Sequence, residues 1–187
     1  KLFVLGTCFE YEQNKGPIYE NFKIKPVNNY AKGKNLLRKY IEGLIKKNTI
    51  LTWARLFYVF GKAQRSKSLI PMLCRSILIN GVTPELRSSL DRLDYVSVED
   101  VADVLHLMCE CEVPSGVYNV GRGQTILVKD IANFLFSLLE DENACLKITA
   151  ETNDEKAKVN FCADMEKTLS VLGWQSKSSF SFTVGNH

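Results

Sequence analysis

Four Tyr-x-x-x-Lys pairs stand in this sequence: Tyr11/Lys15, Tyr19/Lys23, Tyr30/Lys34 and Tyr58/Lys62. Random placement of its tyrosines and lysines would give fewer than one. The spacing matters because a free phenol, with a pKa of about 10, is a poor acid or base at neutral pH. An ammonium group one helical turn away favours the phenolate, so such a pair can pass a proton to or from a substrate oxygen. The two side chains meet only on a helix, where positions i and i+4 share a face. Tyr11 and Tyr19 fall in a polar stretch and Tyr58 ends an apolar run, whereas Tyr30 opens a long amphipathic segment. Thr7 closes the apolar run before it. At the C-terminal end of a parallel strand, the edge where such sheets bind ligands, its hydroxyl can reach the same oxygen.

The remaining reactive side chains point to less. The six cysteines, at positions 8, 74, 109, 111, 145 and 162, are spread through core-like sequence with no secretory signal ahead of them, and they read as reduced thiols. His106, Cys109 and Cys111 form an H-x-x-C-x-C string. Residues two apart diverge on a helix and no second ligand pair follows at zinc spacing, so no metal is expected.

The elements that would position Tyr30 and Thr7 follow from the hydrophobic pattern. Residues 2–5 are continuously apolar and read as a fully buried strand. Across 29–47, Leu37, Ile41, Leu44 and Ile45 recur at helical spacing opposite a cationic face, which predicts an amphipathic helix. Residues 49–60, ended by Gly61, read as one further buried strand, and strand, helix, strand is the crossover unit of a parallel sheet. Helices are expected near 69–78, 99–111, 129–139 and 163–172. Short strands are expected at 95–98, 117–120 and 147–149. Trp53 and Trp174 read as core anchors. The fold class is α/β, with a parallel sheet. Because Lys1 leads directly into a strand, the chain reads as the latter part of something longer, with an unpaired sheet edge.

Composition bounds the function classes. The chain has 187 residues, 45% hydrophobic and 24% charged, which allows a real core. A formal net charge of +3 without a basic cluster does not suggest nucleic-acid binding. The apolar runs are too short and too interrupted to span a membrane, so a cytoplasmic location is expected.

Three blocks carry a family resemblance: Gly6-Thr7-Cys8-Phe9-Glu10-Tyr11, Tyr30-Ala31-Lys32-Gly33-Lys34 and Ala54-Arg55-Leu56-Phe57-Tyr58-Val59-Phe60-Gly61. Further blocks follow in order: Leu69-Ile70-Pro71, Asp94 through Ala102, Gly116 through Gly121, and Ala163-Asp164 leading to Leu172-Gly173-Trp174. The series resembles the extended short-chain dehydrogenase/reductases, the NAD- or NADP-dependent epimerases, dehydratases and reductases of nucleotide sugars. The resemblance implies catalytic roles for Thr7, Tyr30 and Lys34, with Lys34 also holding the nicotinamide ribose. It implies cofactor contacts from Tyr30, Lys34, Leu56 and Phe57, and substrate contacts from Thr7, Cys8, Phe9, Tyr58 and Leu69. It also implies a homodimer formed through the helix bearing Tyr30 and Lys34, and a fold that is the C-terminal part of a Rossmann-like, doubly wound parallel sheet (residues 1–61 and 94–113) with a small α+β substrate-binding lobe (62–93 and 114–187).

Dehydratases of this family carry an Asp-Glu pair directly after the threonine. Cys8 and Phe9 stand there instead, which favours a 4-keto-sugar reductase or an epimerase over elimination, with the Thr-Cys-Phe-Glu-Tyr string closer to the reductases. The glycine-rich phosphate turn of the family is not found, so the chain alone is expected to bind cofactor poorly. The single G-x-G, Gly121-Arg122-Gly123, reads as an ordinary turn. Glu12, Tyr58, Leu93 and the stretch 152–155 depart from the family pattern. A competing reading is therefore a degenerate, non-catalytic half-domain serving as a binding or scaffold module.

Overall fold

The computed structural model of the chain describes residues 1–13, 16–82, 84, 86, 89–138 and 159–178. The expected strand at 147–149, Lys15, Cys145 and the stretch 152–155 lie outside them. In chain order the strands are β1 (Leu2–Thr7), β2 (Gly16–Ile18), β3 (Leu51–Leu56), β4 (Tyr58–Phe60), β5 (Arg92–Leu93), β6 (Tyr95–Ser97), β7 (Gly116–Val120), β8 (Ile126–Leu127) and β9 (Asn160–Ala163). The helices are α1 (Asn29–Leu44), α2 (Leu69–Cys74), α3 (Val98–Glu110), α4 (Val128–Ser137) and α5 (Glu166–Leu172). A 3-10 turn, Cys8–Glu10, follows β1, and a wide π-type turn, Arg75–Ile79, follows α2.

β1, β3 and β7 form a parallel sheet in that order, with Thr7 opposite Leu56 and Leu56 opposite Val120. The three C-terminal strand ends are thus level, and they make the edge where the site is built. Gly116–Val120 belongs to this sheet, although the sequence reading grouped it with the second lobe. β4 pairs in parallel with β6, while β2, β9, β5 and β8 make a small mixed sheet.

Two expectations are corrected here. The run 49–60 is two strands in two sheets rather than one. Its backbone changes partner at Phe57, whose N–H donates to the Val120 carbonyl at 2.9 Å, while the Tyr58 N–H donates to the Asp94 carbonyl at 3.0 Å. β1 is not fully buried. It pairs only with β3 among the described residues, and Leu2 and Leu5 are exposed.

The apolar pattern explains α3 well: Val101, Val104 and Met108 recur at steps of three and four and pack on Ala54, Val96 and Tyr118. Each fully buried side chain of this size stabilises by about 1.5–3 kcal/mol relative to exposure. Ser97 caps this helix, accepting the Asp100 N–H at 3.0 Å, and Glu99 and Asp100 lie in the first turn where acids suit the helix dipole. Trp53 and Trp174 are both buried. α1 departs from expectation. Only Ala31 and Asn35 are buried on it, and Leu37 and Leu44 of the expected apolar face are exposed, as are Leu36 and Tyr40.

Candidate active site

Thr7 ends β1 in extended conformation and starts the 3-10 turn, where its Oγ1 accepts the Phe9 N–H at 3.4 Å. It is buried. The chain then loops out and returns to the same strand end: the Val27 N–H donates to the Phe9 carbonyl at 3.1 Å, and Asn28 caps α1 by accepting the Ala31 N–H at 2.9 Å. This return places Tyr30 in the first turn of α1. One turn on, the Lys34 ammonium donates to the Leu5 carbonyl of β1 at 3.0 Å and stands 5.8 Å from the centre of the Tyr30 ring. Lys34 therefore ties Tyr30 to the strand that ends in Thr7. Tyr30 itself is 59% exposed. Of the other tyrosines at this spacing, Tyr11 is buried in the core, Tyr19 lies outside any helix and Tyr58 lies in β4.

A cavity of about 360 Å³ opens next to this edge, within the usual size range for small-molecule sites. Phe9, Phe57, Tyr58, Gln64, Leu69 and Tyr95 are among its walls. Phe9 and Tyr58 meet edge to face, with centroids 5.4 Å apart. Four of the residues singled out in the sequence, Phe9, Phe57, Tyr58 and Leu69, thus line one cavity. Thr7 and Tyr30 are not among its walls; Phe9, two residues past Thr7, and Phe57, next to Leu56, connect the two. Cys8 is placed differently. It is buried beside Phe57 and Phe161, and burial pushes its thiol well above the usual range, so it is inert there. Burial also pushes the Tyr58 and Tyr95 phenols up, which keeps both neutral. Gln64 donates its amide N–H to the Val59 carbonyl at 3.1 Å. Its Oε1 is buried and has no hydrogen-bond partner among the described residues.

The Gly121-Arg122-Gly123 turn is an ordinary turn. Its amides at 122 and 123 donate to the buried Asp94 carboxyl at 2.8 and 3.0 Å, and the Ala163 N–H donates to it at 2.9 Å. Burial pushes Asp94 up to about 6 against the opposing pull of these three donors. Side-chain oxygens already occupy the amides a phosphate would need. Among the described residues no three of His, Cys, Asp or Glu gather closely enough to hold a metal ion.

Sequence reasoning missed the charged core beneath Thr7. Glu10 is buried and accepts hydrogen bonds from the Thr7 amide, the Trp53 indole and Arg55, all within 3.1 Å. Tyr11 donates to Asn119 Oδ1 at 2.7 Å, and its ring lies 4.3 Å from the Arg55 guanidinium. The Thr-x-x-Glu spacing, a capping-box signature, was the readable signal for Glu10.

A family model described as the NAD dependent epimerase/dehydratase family matches residues 1–121. No curated protein matches the chain. Among solved structures, MoeE5 in complex with UDP-glucose and NAD is 20% identical, with a TM-score of 0.80 over 98% of this chain and 62% of that one. The UDP-glucose 4-epimerase of Thermotoga maritima is 20% identical, with a TM-score of 0.82 over 97% of this chain and 60% of that one. TunA, an NAD-dependent NDP-hexosamine 5,6-dehydratase, is 24% identical, with a TM-score of 0.81 over 98% of this chain and 60% of that one. At these identities the likeness is one of fold, and the chain spans less than two thirds of each of these relatives. With the family model covering residues 1–121 of 187, and with the level strand ends, the α1 crossover and the Tyr30/Lys34 placement already in view, the chain belongs to the NAD dependent epimerase/dehydratase family.

Proposed function

We propose that the protein is an NAD(P)-dependent oxidoreductase or epimerase acting on a nucleotide-linked sugar, with a 4-keto-sugar reductase the favoured form. The observation that carries this reading is Lys34, which reaches the Leu5 carbonyl of β1 while standing over the Tyr30 ring. A nicotinamide cofactor fits the residues present. The Lys34 ammonium has three donor hydrogens and spends one on Leu5, so two are free for ribose hydroxyls. Tyr30 is exposed beside it, and Leu56 and Phe57 supply apolar surface at the same strand edge. When bound, the cofactor supplies or accepts a hydride.

The chain's own residues handle the oxygen. Thr7 donates a hydrogen bond to the substrate carbonyl oxygen, while one lone pair of its Oγ1 is engaged by the Phe9 N–H. The Tyr30 hydroxyl gives its proton to that oxygen as the carbon is reduced, and takes it back in the reverse direction. Lys34 keeps positive charge beside the ring throughout. Phe9, Tyr58 and Leu69 wall the space beyond the reacting carbon. A homodimer through α1 is part of the proposal: Leu36, Tyr40 and Leu44, at i, i+4 and i+8, form an exposed apolar stripe on that helix.

The test is nicotinamide absorbance of the full natural protein with 4-keto nucleotide sugars. Net loss of reduced cofactor marks a reductase, and sugar interconversion without net loss marks an epimerase. Absence of both cofactor binding and turnover would refute the proposal and favour the non-catalytic binding module.

A further inference from the structure

Glu10 is a carboxylate with no exposed surface. Its Oε1 accepts the Thr7 backbone N–H at 3.0 Å and the Trp53 indole N–H at 3.1 Å, and its Oε2 accepts the Arg55 Nε–H at 3.0 Å. Arg55 is equally buried, gives a second hydrogen bond to the Glu20 carbonyl at 3.2 Å, and covers the Tyr11 ring. Stability is a poor explanation for such a pair. Desolvating two charges offsets much of their attraction, and apolar residues of similar volume often serve a fold as well or better. What this pair does, and apolar residues could not, is grip a backbone amide. That amide belongs to Thr7, which ends β1 opposite Leu56 and whose Oγ1 caps the following turn. Gly6 leaves the space the grip needs, since a Cβ there would fall on the Trp53 indole nitrogen and 2.7 Å from Glu10 Oε1.

We propose that Glu10, with Arg55 as its countercharge, is the positioning residue for Thr7: it fixes the Thr7 amide and so aims the hydroxyl at the substrate oxygen. Glu10 touches neither substrate nor cofactor and acts through Thr7. The inference rests on the reading of Thr7 given above, and its test separates the two.

The experiment uses the full natural protein with Glu10→Leu/Arg55→Met, which replaces the ion pair by apolar side chains, and Glu10→Gln as the second variant. In the Gln variant the single acceptor oxygen goes to Arg55, and Thr7 and Trp53 face an NH2 group. The double variant should still fold cooperatively, with a thermal midpoint lowered by the Thr7 and Trp53 N–H donors left without an acceptor. In both variants NMR should show loss of Thr7 amide protection and averaging of its side-chain coupling constants. The kcat should fall about 10- to 100-fold with KM unchanged, as displacements near 1 Å at a reacting group do. In a Thr7→Ala background the Glu10 substitution should lower kcat no further, whereas a merely structural residue would lower it by the same factor in both backgrounds. A single Thr7 rotamer with a protected amide in either folded variant overturns the proposal, as does a full kcat loss repeated in the Thr7→Ala background. Loss of Thr7 geometry in a protein that never transfers hydride would leave the positioning role standing and remove the proposed function instead.

Discussion

The substitution Gly6→Ala asks the most of the packing under the site. Gly6 lies on β1 opposite Arg55, and an added methyl would land on the Trp53 indole nitrogen, 2.8 Å from its Cε2 and 2.7 Å from Glu10 Oε1. Neither neighbour can give way easily, because Trp53 and Glu10 are both buried and bonded to each other. Overpacking of this kind costs about 1–3 kcal/mol. Pushing the indole away also strands one buried N–H donor, a further cost of about 1–3 kcal/mol. The expected loss is about 4 kcal/mol, which for a chain of this size lowers the thermal midpoint by roughly 10 °C. Urea unfolding followed by tryptophan fluorescence measures it. Gly43→Ala is the internal control, since nothing lies within 4 Å of a Cβ there and the residue sits within α1. That change should stabilise by about 0.5–1 kcal/mol. A loss under about 1 kcal/mol at Gly6, with Trp53 emission unchanged, would refute the packing account.

Three further outcomes follow from the same structure. Burial pushes Tyr11 up to about 12, and its hydroxyl donates to Asn119 Oδ1, so the folded state favours the neutral phenol. That contribution is whole below the unfolded pKa of about 10 and is lost as the pH rises toward 12, about 3 kcal/mol in all, a slope that Tyr11→Phe should remove in alkaline urea titrations. Ala63 holds a left-handed backbone at φ 64°, so Ala63→Gly should stabilise by about 0.5–1 kcal/mol after the glycine's own entropy is counted, read as a raised urea midpoint. Leu36→Glu together with Tyr40→Glu, both on the exposed stripe of α1, should convert a dimer to monomer in analytical ultracentrifugation, with a midpoint that no longer rises with protein concentration.

Much of the site was legible because its logic is local. Tyr30 and Lys34 share a helical face by spacing alone, and Thr7 ends an apolar run, so the reading of each needed only its neighbours. Phe9, Tyr58 and Leu69 could be grouped only through the ordered family blocks, since they come from three elements far apart in sequence. The split at Phe57 was not legible: an unbroken apolar run does not record that its backbone leaves one sheet for another. The exposure of Leu36, Tyr40 and Leu44 was hidden for a related reason, because periodicity shows which residues share a face and not what covers it. The short strands β2, β5, β8 and β9 carry too few residues to show a pattern. Glu10 lay in plain view at capping-box spacing, but its buried partners Trp53 and Arg55 are contributed by β3, more than 40 residues later.

The central claim is that the phenol of Tyr30 carries the proton while Thr7 steadies the oxygen and Lys34 supplies the charge. Single-turnover hydride transfer by Tyr30→Phe, in the full natural protein with saturating cofactor and keto-sugar, tests it most directly. The account predicts a rate lower by about 10²- to 10⁴-fold, with cofactor affinity unchanged. A Tyr30→Phe protein that transfers hydride at the unaltered rate would contradict it.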